Sequence, residues 1–295
     1  MTTTKLLVTG AAGQLGRRVL ELLLEAKAGP LLATTRRPEA LADFAARGVE
    51  VRHADFDAPA TLAAAFTDVE RALLISTDAL DQPGRRLEQH QQAVRALEAA
   101  GVRHVVYTSM PNPEGSVVTI APDHLGTERA LQASRLDYTI LRNNVYADML
   151  LMSLPAAIAS GKLVDARGTG AIAYVWRDDC ARAAVAALTD RQRHGRSTID
   201  ITGPEPVTSA QLAAWASELG GRPVVHVDVS PAALVEALQQ HGLPRAMAEI
   251  VTSFDVATAR GELASTSDGV RQLLGRTPQP LRAFLQAQRA ALVPQ

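Results

Sequence analysis

Thr9-Gly10-Ala11-Ala12-Gly13-Gln14-Leu15-Gly16 follows an aliphatic run, Lys5–Thr9, and opens an amphipathic segment, Gln14–Lys27, in which Leu15, Val19, Leu22 and Leu23 can share one face. A strand, a glycine-rich turn and a helix in that order are the opening of a dinucleotide-binding βαβ unit. The spacing is G-x-x-G-x-x-G. One glycine permits a tight turn, another lets backbone approach a pyrophosphate, and the last lets the helix pack closely on the strand. Peptide N–H groups at the helix start, with the helix dipole, then attract phosphate.

Outward from this loop, short aliphatic runs alternate with helical spacing. Leu31–Thr35, Val49–His53, Ala72–Ser76, Val102–Ser109 and Tyr138–Leu141 read as strands. Glu39–Arg47, Pro59–Thr67, Arg86–Ala100 and Asp123–Ser134 read as the helices between them. Such alternation predicts an α/β fold: a Rossmann-type, doubly wound, mainly parallel sheet of at least six strands. Ligands then sit at the carboxyl ends of the strands, where the loops after Thr9, Thr35, His53, Ser76, Ser109 and Leu141 meet. The second half has another rhythm. Leu150–Ala159 and Arg177–Thr189 read as helices, Gly161–Gly170 as a loop or hairpin, and Thr198–Ile201 and Val224–Val229 as strands. Helices dominate after Thr208. The expected division is a binding domain over 1–148, with parts of 171–205 returning to it, and a smaller, mainly helical substrate region over 149–295.

The end of the second strand reads Thr34-Thr35-Arg36-Arg37, with no carboxylate before Glu39. An acidic residue about 20 positions after the loop usually holds the ribose 2′-hydroxyl of NAD. Here Arg36 stands in its place, where a guanidinium could pair with a 2′-phosphate. The expected cofactor is therefore NADP(H), with NAD(H) also admitted; the plain alternative is that both arginines are solvated surface charges. Asp55-Phe56, after the third strand, could hold adenine between a carboxylate and a ring; the same pair reads as a capping Asp beside a buried Phe. Ser76-Thr77, after the fourth strand, suits close passage of the middle of the cofactor, and suits an ordinary turn as well.

Short-chain dehydrogenases with a comparable glycine loop mostly use a Tyr-x-x-x-Lys pair for proton transfer. This chain has three lysines, Lys5, Lys27 and Lys162, and none lies four residues after a tyrosine. At the corresponding helix it reads Asp123-His124-Leu125-Gly126-Thr127-Glu128. His124 takes the tyrosine place and Glu128 the lysine place, on one helix face. A histidine there could relay a proton or orient substrate; it also reads as a pocket-rim histidine beside a structural carboxylate.

The ordered set T-G-A-A-G-Q-L-G, T-R-R-P, L-L-I-S, V-V-Y-T-S, H-L-G-T-E and L-R-N-N-V-Y resembles the NmrA-like group of atypical short-chain dehydrogenases. Within it the chain is similar to type 2 NAD(P)H:quinone oxidoreductases and triphenylmethane reductases, down to Gly275-Arg276-Thr277-Pro278 in the tail. The resemblance implies an NADPH-dependent reductase acting on a quinone or similar electrophile, with a cleft between its two domains. It places Gly10, Gly13, Gln14, Leu15 and Gly16 at the pyrophosphate and Arg36 at the adenosine phosphate. It places Ser76 and Thr77 along the ribose, Thr108 and Ser109 near the nicotinamide, and Asn143 and Tyr146 in the cleft, with His124 as a candidate proton donor. NmrA-like proteins also include regulators that bind dinucleotide without turnover, and that reading stays open.

Bulk properties narrow the classes. The 295 residues are 47% hydrophobic and 21% charged, as in ordinary globular proteins. Net charge is -1, and no Lys/Arg run exceeds two residues, so no nucleic-acid partner is expected. The expected partner is a small-molecule substrate, with a homo-oligomer left open. Cys180 is the single cysteine, which fits a reducing compartment, and a cytoplasmic setting is expected. No run offers the ~20 apolar residues of a membrane helix. His53, His90, His104, His194, His226 and His241 lie apart, without metal-ligand spacing, and no metal is expected.

Overall fold

The structure, a computed structural model, describes residues 4–192 and 194–293. The chain begins with β1 (Lys5–Val8), α1 (Gln14–Glu25), β2 (Leu31–Thr35) and the one-turn α2 (Ala42–Ala45). Next come β3 (Glu50–His53), α3 (Ala60–Ala65), β4 (Val69–Leu74), α4 (Arg85–Ala99), β5 (His104–Ser109), α5 (Ala121–Ala133) and β6 (Asp137–Asn143). The face predicted for α1 is the buried one: Leu15, Val19, Leu22 and Leu23 all lie in the core. Fully burying one such side chain contributes about 1.5–3 kcal/mol, which is what holds this helix on the sheet.

The chain continues through α6 (Leu150–Ser160), β7 (Lys162–Asp165), β8 (Ala171–Ile172), α7 (Arg177–Thr189) and β9 (Arg196–Ile201). It ends in a helix-rich region: β10 (Val207–Thr208), α8 (Ser209–Gly220), β11 (Val225–Asp228), α9 (Pro231–Gln240), α10 (Arg245–Ala259), α11 (Gly269–Leu274), α12 (Leu281–Ala287) and α13 (Arg289–Leu292). Two compact units result. The first comprises Met1–Met110, Asp123–Arg142 and Cys180–Ile199; the second comprises Pro111–Pro122, Asn143–Asp179 and Asp200–Gln295.

The seven-stranded sheet has the order β3-β2-β1-β4-β5-β6-β9. The pairings from β3 through β6 are parallel. This is the doubly wound Rossmann sheet that the alternation predicted. Its strand order reverses between β1 and β4, so the carboxyl ends of those two strands flank the topological switch point.

Three local expectations are corrected. Glu39–Arg47 is not a continuous helix but a 3-10 turn, Pro38–Leu41, followed by α2. Pro38 fixes the start of the turn, and Phe44 is buried with Arg17 and Arg47 over its ring, at 4.8 and 5.3 Å. β4 starts at Val69 instead of Ala72 because buried Arg71 lies within it. Arg71 Nε and Nη2 donate to the carbonyls of Leu188 and Ala187 at 2.8 and 3.0 Å, capping the C-terminal turn of α7. Gly161–Gly170 is not a hairpin. β7 pairs in parallel with β11, and β8 pairs antiparallel with β10.

Candidate functional site

A cavity of about 590 Å³ opens where the first unit's sheet changes direction. Gly10 and Gly13 line it after β1, Arg36 and Arg37 after β2, Asp55 and Phe56 after β3, and Ser76 and Thr77 after β4. Gly10 sits at φ +58°, a left-handed conformation that a side chain disfavours, and a Cβ there would touch Ile75 at 3.4 Å. Gly13 N–H donates to Gly10 O at 3.0 Å and closes the turn. Gly13 then caps α1 without any side-chain cap. Gly16 is buried beneath the turn: a Cβ on it would lie 2.6 Å from Gly10 O and 2.7 Å from Ala11 Cα. The three glycines thus divide into a left-handed turn, a helix start where a Cβ would meet Gly10 O at 3.3 Å, and a close helix contact.

Arg36 is exposed at the cavity rim, and among the described residues its side chain makes no hydrogen bond or ion pair. Close by, Arg85 Nη2 pairs with Asp57 and its Nη1 with Asp81, at 2.5 and 2.7 Å. Gln89 Nε2 donates to Asp57 at 2.9 Å. The Arg85 and Gln89 hydrogen bonds, helped by the charges of Arg85 and Arg36, hold the Asp57 carboxyl below its ordinary range. Asp55 is not a helix cap, since Pro59 precedes α3 without a side-chain cap. Asp55 Oδ1 accepts from Asp57 N–H at 3.0 Å, and Phe56 packs into the core, while both residues line the cavity.

Gln14, Leu15, Gly16, Thr108 and Ser109 do not line the cavity. Thr108 stands directly behind its wall, its Oγ1 accepting from Ser76 N–H at 2.9 Å. Ser109 Oγ donates to Glu128 Oε1 at 2.6 Å. Arg142 meets the same carboxylate with two nitrogens, Nε at 3.0 Å and Nη2 at 2.6 Å. The residue in the lysine place is therefore a buried carboxylate with an arginine fork on it.

His124 is 4% exposed and both of its ring nitrogens are engaged. Arg86 Nη2 lies 3.0 Å from Nε2, and Tyr107 Oη lies 2.9 Å from Nδ1. A guanidinium only donates, so Nε2 is the acceptor and the proton resides on Nδ1, directed at Tyr107. Burial, then the charge of Arg86, holds the imidazole far below its ordinary range, and burial pushes the Tyr107 phenol up. Asn143 and Tyr146 are brought together in the second unit, with Nδ2 donating to Tyr146 Oη at 3.1 Å. Asn143 Oδ1 is buried without a hydrogen-bond partner among the described residues.

Sequence reading missed Arg85, Arg86, Gln89 and His90. In α4 they look like an ordinary polar face, and only their i, i+4 spacing hints at a shared task. It also missed one grouping in the second unit. Parallel pairing aligns Asp228 with Asp165 and puts His226 on the same face, with side-chain ligand atoms within 4.8 Å of one another. Asp165 is already occupied there, by His226 Nε2 at 2.8 Å and Ser209 Oγ at 2.5 Å. No helix among the described residues is long and apolar enough to cross a membrane.

Comparison with known proteins places this geometry. The family described as NAD(P)H-binding matches residues 10–191. Quinone oxidoreductase 2 of Escherichia coli is 35% identical over 91% of this chain and 93% of its own. The crystal structure of the NADPH-dependent quinone oxidoreductase from Escherichia coli, complexed with NADPH, superposes with a TM-score of 0.90. It shares 34% identity and covers 96% of this chain and 99% of its own. The triphenylmethane reductase of Citrobacter sp., complexed with NADP(H), gives a TM-score of 0.89 at 35% identity, covering 96% and 99%.

Proposed function

This chain belongs to the NmrA-like NAD(P)H-binding oxidoreductases, and from that premise we propose that it transfers hydride from NADPH to a quinone or similarly electrophilic small molecule. The observation that carries this reading is the cavity itself. A left-handed glycine turn and an uncapped helix start leave room for a pyrophosphate, and an exposed arginine that makes no hydrogen bond or ion pair among the described residues stands at the rim. These residues fit a phosphorylated dinucleotide: Gly10 and Gly13 at the pyrophosphate, Arg36 at the 2′-phosphate, Asp55 and Phe56 toward the adenine, Ser76 and Thr77 along the ribose. Gln14, Leu15 and Gly16 support the turn from α1, and Thr108 and Ser109 support the nicotinamide side from β5.

When bound, the dinucleotide supplies the hydride, and the protein supplies binding and orientation. Orientation alone can contribute about 7–11 kcal/mol. A quinone that receives hydride becomes a hydroquinone monoanion, and water protonates that weakly basic oxygen. No Tyr–Lys relay is needed, as it would be for an unactivated ketone. His124 fits this economy. Its buried imidazole, capped at Nε2 by Arg86, is a positioning group and not a proton donor. We assign Asn143 and Tyr146 to the reduced product's side of the reaction, where the Asn143 carbonyl oxygen would accept from a hydroxyl of the hydroquinone.

The test is NADPH oxidation by the purified protein with a panel of benzoquinones, triphenylmethane dyes and activated alkenes. Turnover with at least one quinone, at one NADPH per quinone, is expected. Tight NADPH binding without turnover on any of them would instead make the protein a dinucleotide sensor.

A further inference from the structure

The cavity wall after β4 leaves the sheet, so the backbone N–H groups of Ile75, Ser76 and Thr77 have no strand to bond. Side chains from the turn after β1, from β5 and from α4 take all three. Thr9 Oγ1 accepts from Ile75 N at 3.1 Å, Thr108 Oγ1 from Ser76 N at 2.9 Å, and His90 Nε2 from Thr77 N at 2.9 Å. The next carbonyl is held as well: Arg86 Nε donates to Thr77 O at 2.7 Å. Ile75, Ser76 and Thr77 all line the cavity.

We propose that Arg86 and His90, four apart on α4, are positioning residues that clamp both backbone polar groups of Thr77 and so set the shape of the dinucleotide cavity. The inference rests on the NADPH reading for its consequence, and on the hydrogen bonds for its existence. Each clamp residue is itself locked. Thr77 N–H can only donate, so His90 Nε2 accepts and His90 Nδ1–H faces Thr127 Oγ1 at 2.9 Å. That hydroxyl gives its own proton to Asp123 O at 2.7 Å, leaving its lone pairs for His90. Arg86 uses the Nε and Nη2 edge of its guanidinium as a fork, one prong on Thr77 O and the other on His124 Nε2. His124 in turn donates its Nδ1–H as a hydrogen bond to Tyr107 Oη in β5. α5 therefore backs α4, and α4 holds the loop. His90 is fully buried and Arg86 is 4% exposed, so water cannot readily replace either contact. Removing one partner of such a buried bond leaves the other unsatisfied, which costs more than the bond's modest net contribution. In this account the helix that bears the proton relay in other short-chain dehydrogenases serves the cavity wall instead.

The test compares His90→Leu, which removes the acceptor, with His90→Gln, whose Oε1 can still accept from Thr77 N–H. Arg86→Lys joins them; it keeps the charge but cannot span Thr77 O and His124 together. Three readouts are taken: NADPH titration, steady-state KM for NADPH against kcat with 1,4-benzoquinone, and amide hydrogen exchange at Ile75–Thr77 against the β5 amides. His90→Leu and Arg86→Lys are expected to weaken NADPH binding and raise its KM roughly tenfold, the size of one lost hydrogen bond, with a smaller change in kcat. His90→Gln should recover most of the loss. Exchange should quicken at Ile75–Thr77 while β5 stays protected. Unchanged loop exchange, exchange raised equally throughout, or failure of His90→Gln to rescue would overturn the clamp. If His90→Leu does not fold, Arg86→Lys and His90→Gln decide the matter by the same readouts. Failure of the wild type to bind NADPH would remove the functional reading, while the exchange data would still decide the clamp.

Discussion

Arg36 directly follows β2 with its side chain exposed at the cavity rim, and on the proposed reading that placement would make the nucleotide loop selective for a phosphorylated ribose. A well-formed charge-assisted contact is worth about 1.5–3 kcal/mol. Arg36→Ala should therefore weaken NADPH binding by roughly 10- to 100-fold and leave NADH binding nearly unchanged, as read by titration of both cofactors. Equal losses for the two cofactors would remove the 2′-phosphate assignment. The sequence could show this residue because its meaning depends only on distance from the glycine loop and on the missing carboxylate. His90 and Arg86 could not be read in that way. Their partners, Thr77 after β4 and Thr127 and His124 in α5, come from two separate segments, and nothing in a polar helix face says which backbone it will meet.

At the scale of elements, the glycines of one loop should behave differently. Gly16 lies where α1 crosses the turn, and an added methyl would meet backbone atoms at 2.6 and 2.7 Å. Gly13 is less confined, since a methyl there would meet only Gly10 O, at a tight 3.3 Å. Gly16→Ala should cost about 1–3 kcal/mol of stability, because backbone must shift to admit the methyl, whereas Gly13→Ala should cost well under half as much. Urea unfolding of both variants measures this; equal destabilisation would refute the division of labour. Local sequence made the element order legible, since turn glycines and helical spacing act over a few residues. It hid the start of β4, because Arg71 looks like a break in a hydrophobic run until α7 offers the carbonyls it caps. It hid β7 and β8 for a related reason: strands that pair with β11 and β10 have no turn between them to announce the pairing.

In the molecule as a whole, the units interleave along the chain, with Cys180–Ile199 in the first and Pro111–Pro122 in the second. The return of part of 171–205 to the binding domain is among the sequence expectations, whereas the excursion of Pro111–Pro122 is not, because it depends on contacts made far apart in sequence. The buried histidines of the first unit give the fold an acid-sensitive side. Burial, then the charge of Arg86, brings His90 down to about 3 from its ordinary 6.5. Between those values the unfolded chain binds more protons than the folded one, so the stability is complete above about pH 6.5 and declines as pH falls toward 3. For His90 alone the loss at pH 5 is about 2 kcal/mol relative to neutral pH, and His124 shifts in the same direction. Urea midpoints should accordingly fall from pH 7 to pH 5, and His90→Gln should flatten the fall; a slope unaltered by that substitution would contradict the neutral assignment. The same neutral, capped histidines bear on the reaction, since a hydride transfer that needs no side-chain acid has no histidine limb in its rate. Single-turnover oxidation of NADPH by 1,4-benzoquinone, with NADPH deuterated at the transferred position, measures this directly from about pH 6 to 8, where an ordinary histidine titrates. One NADPH consumed per quinone, a rate slowed by deuterium and no pH dependence across that range are expected. Tight NADPH binding with no oxidation, or a rate that follows a single ionisation near pH 6.5, would contradict this mechanism.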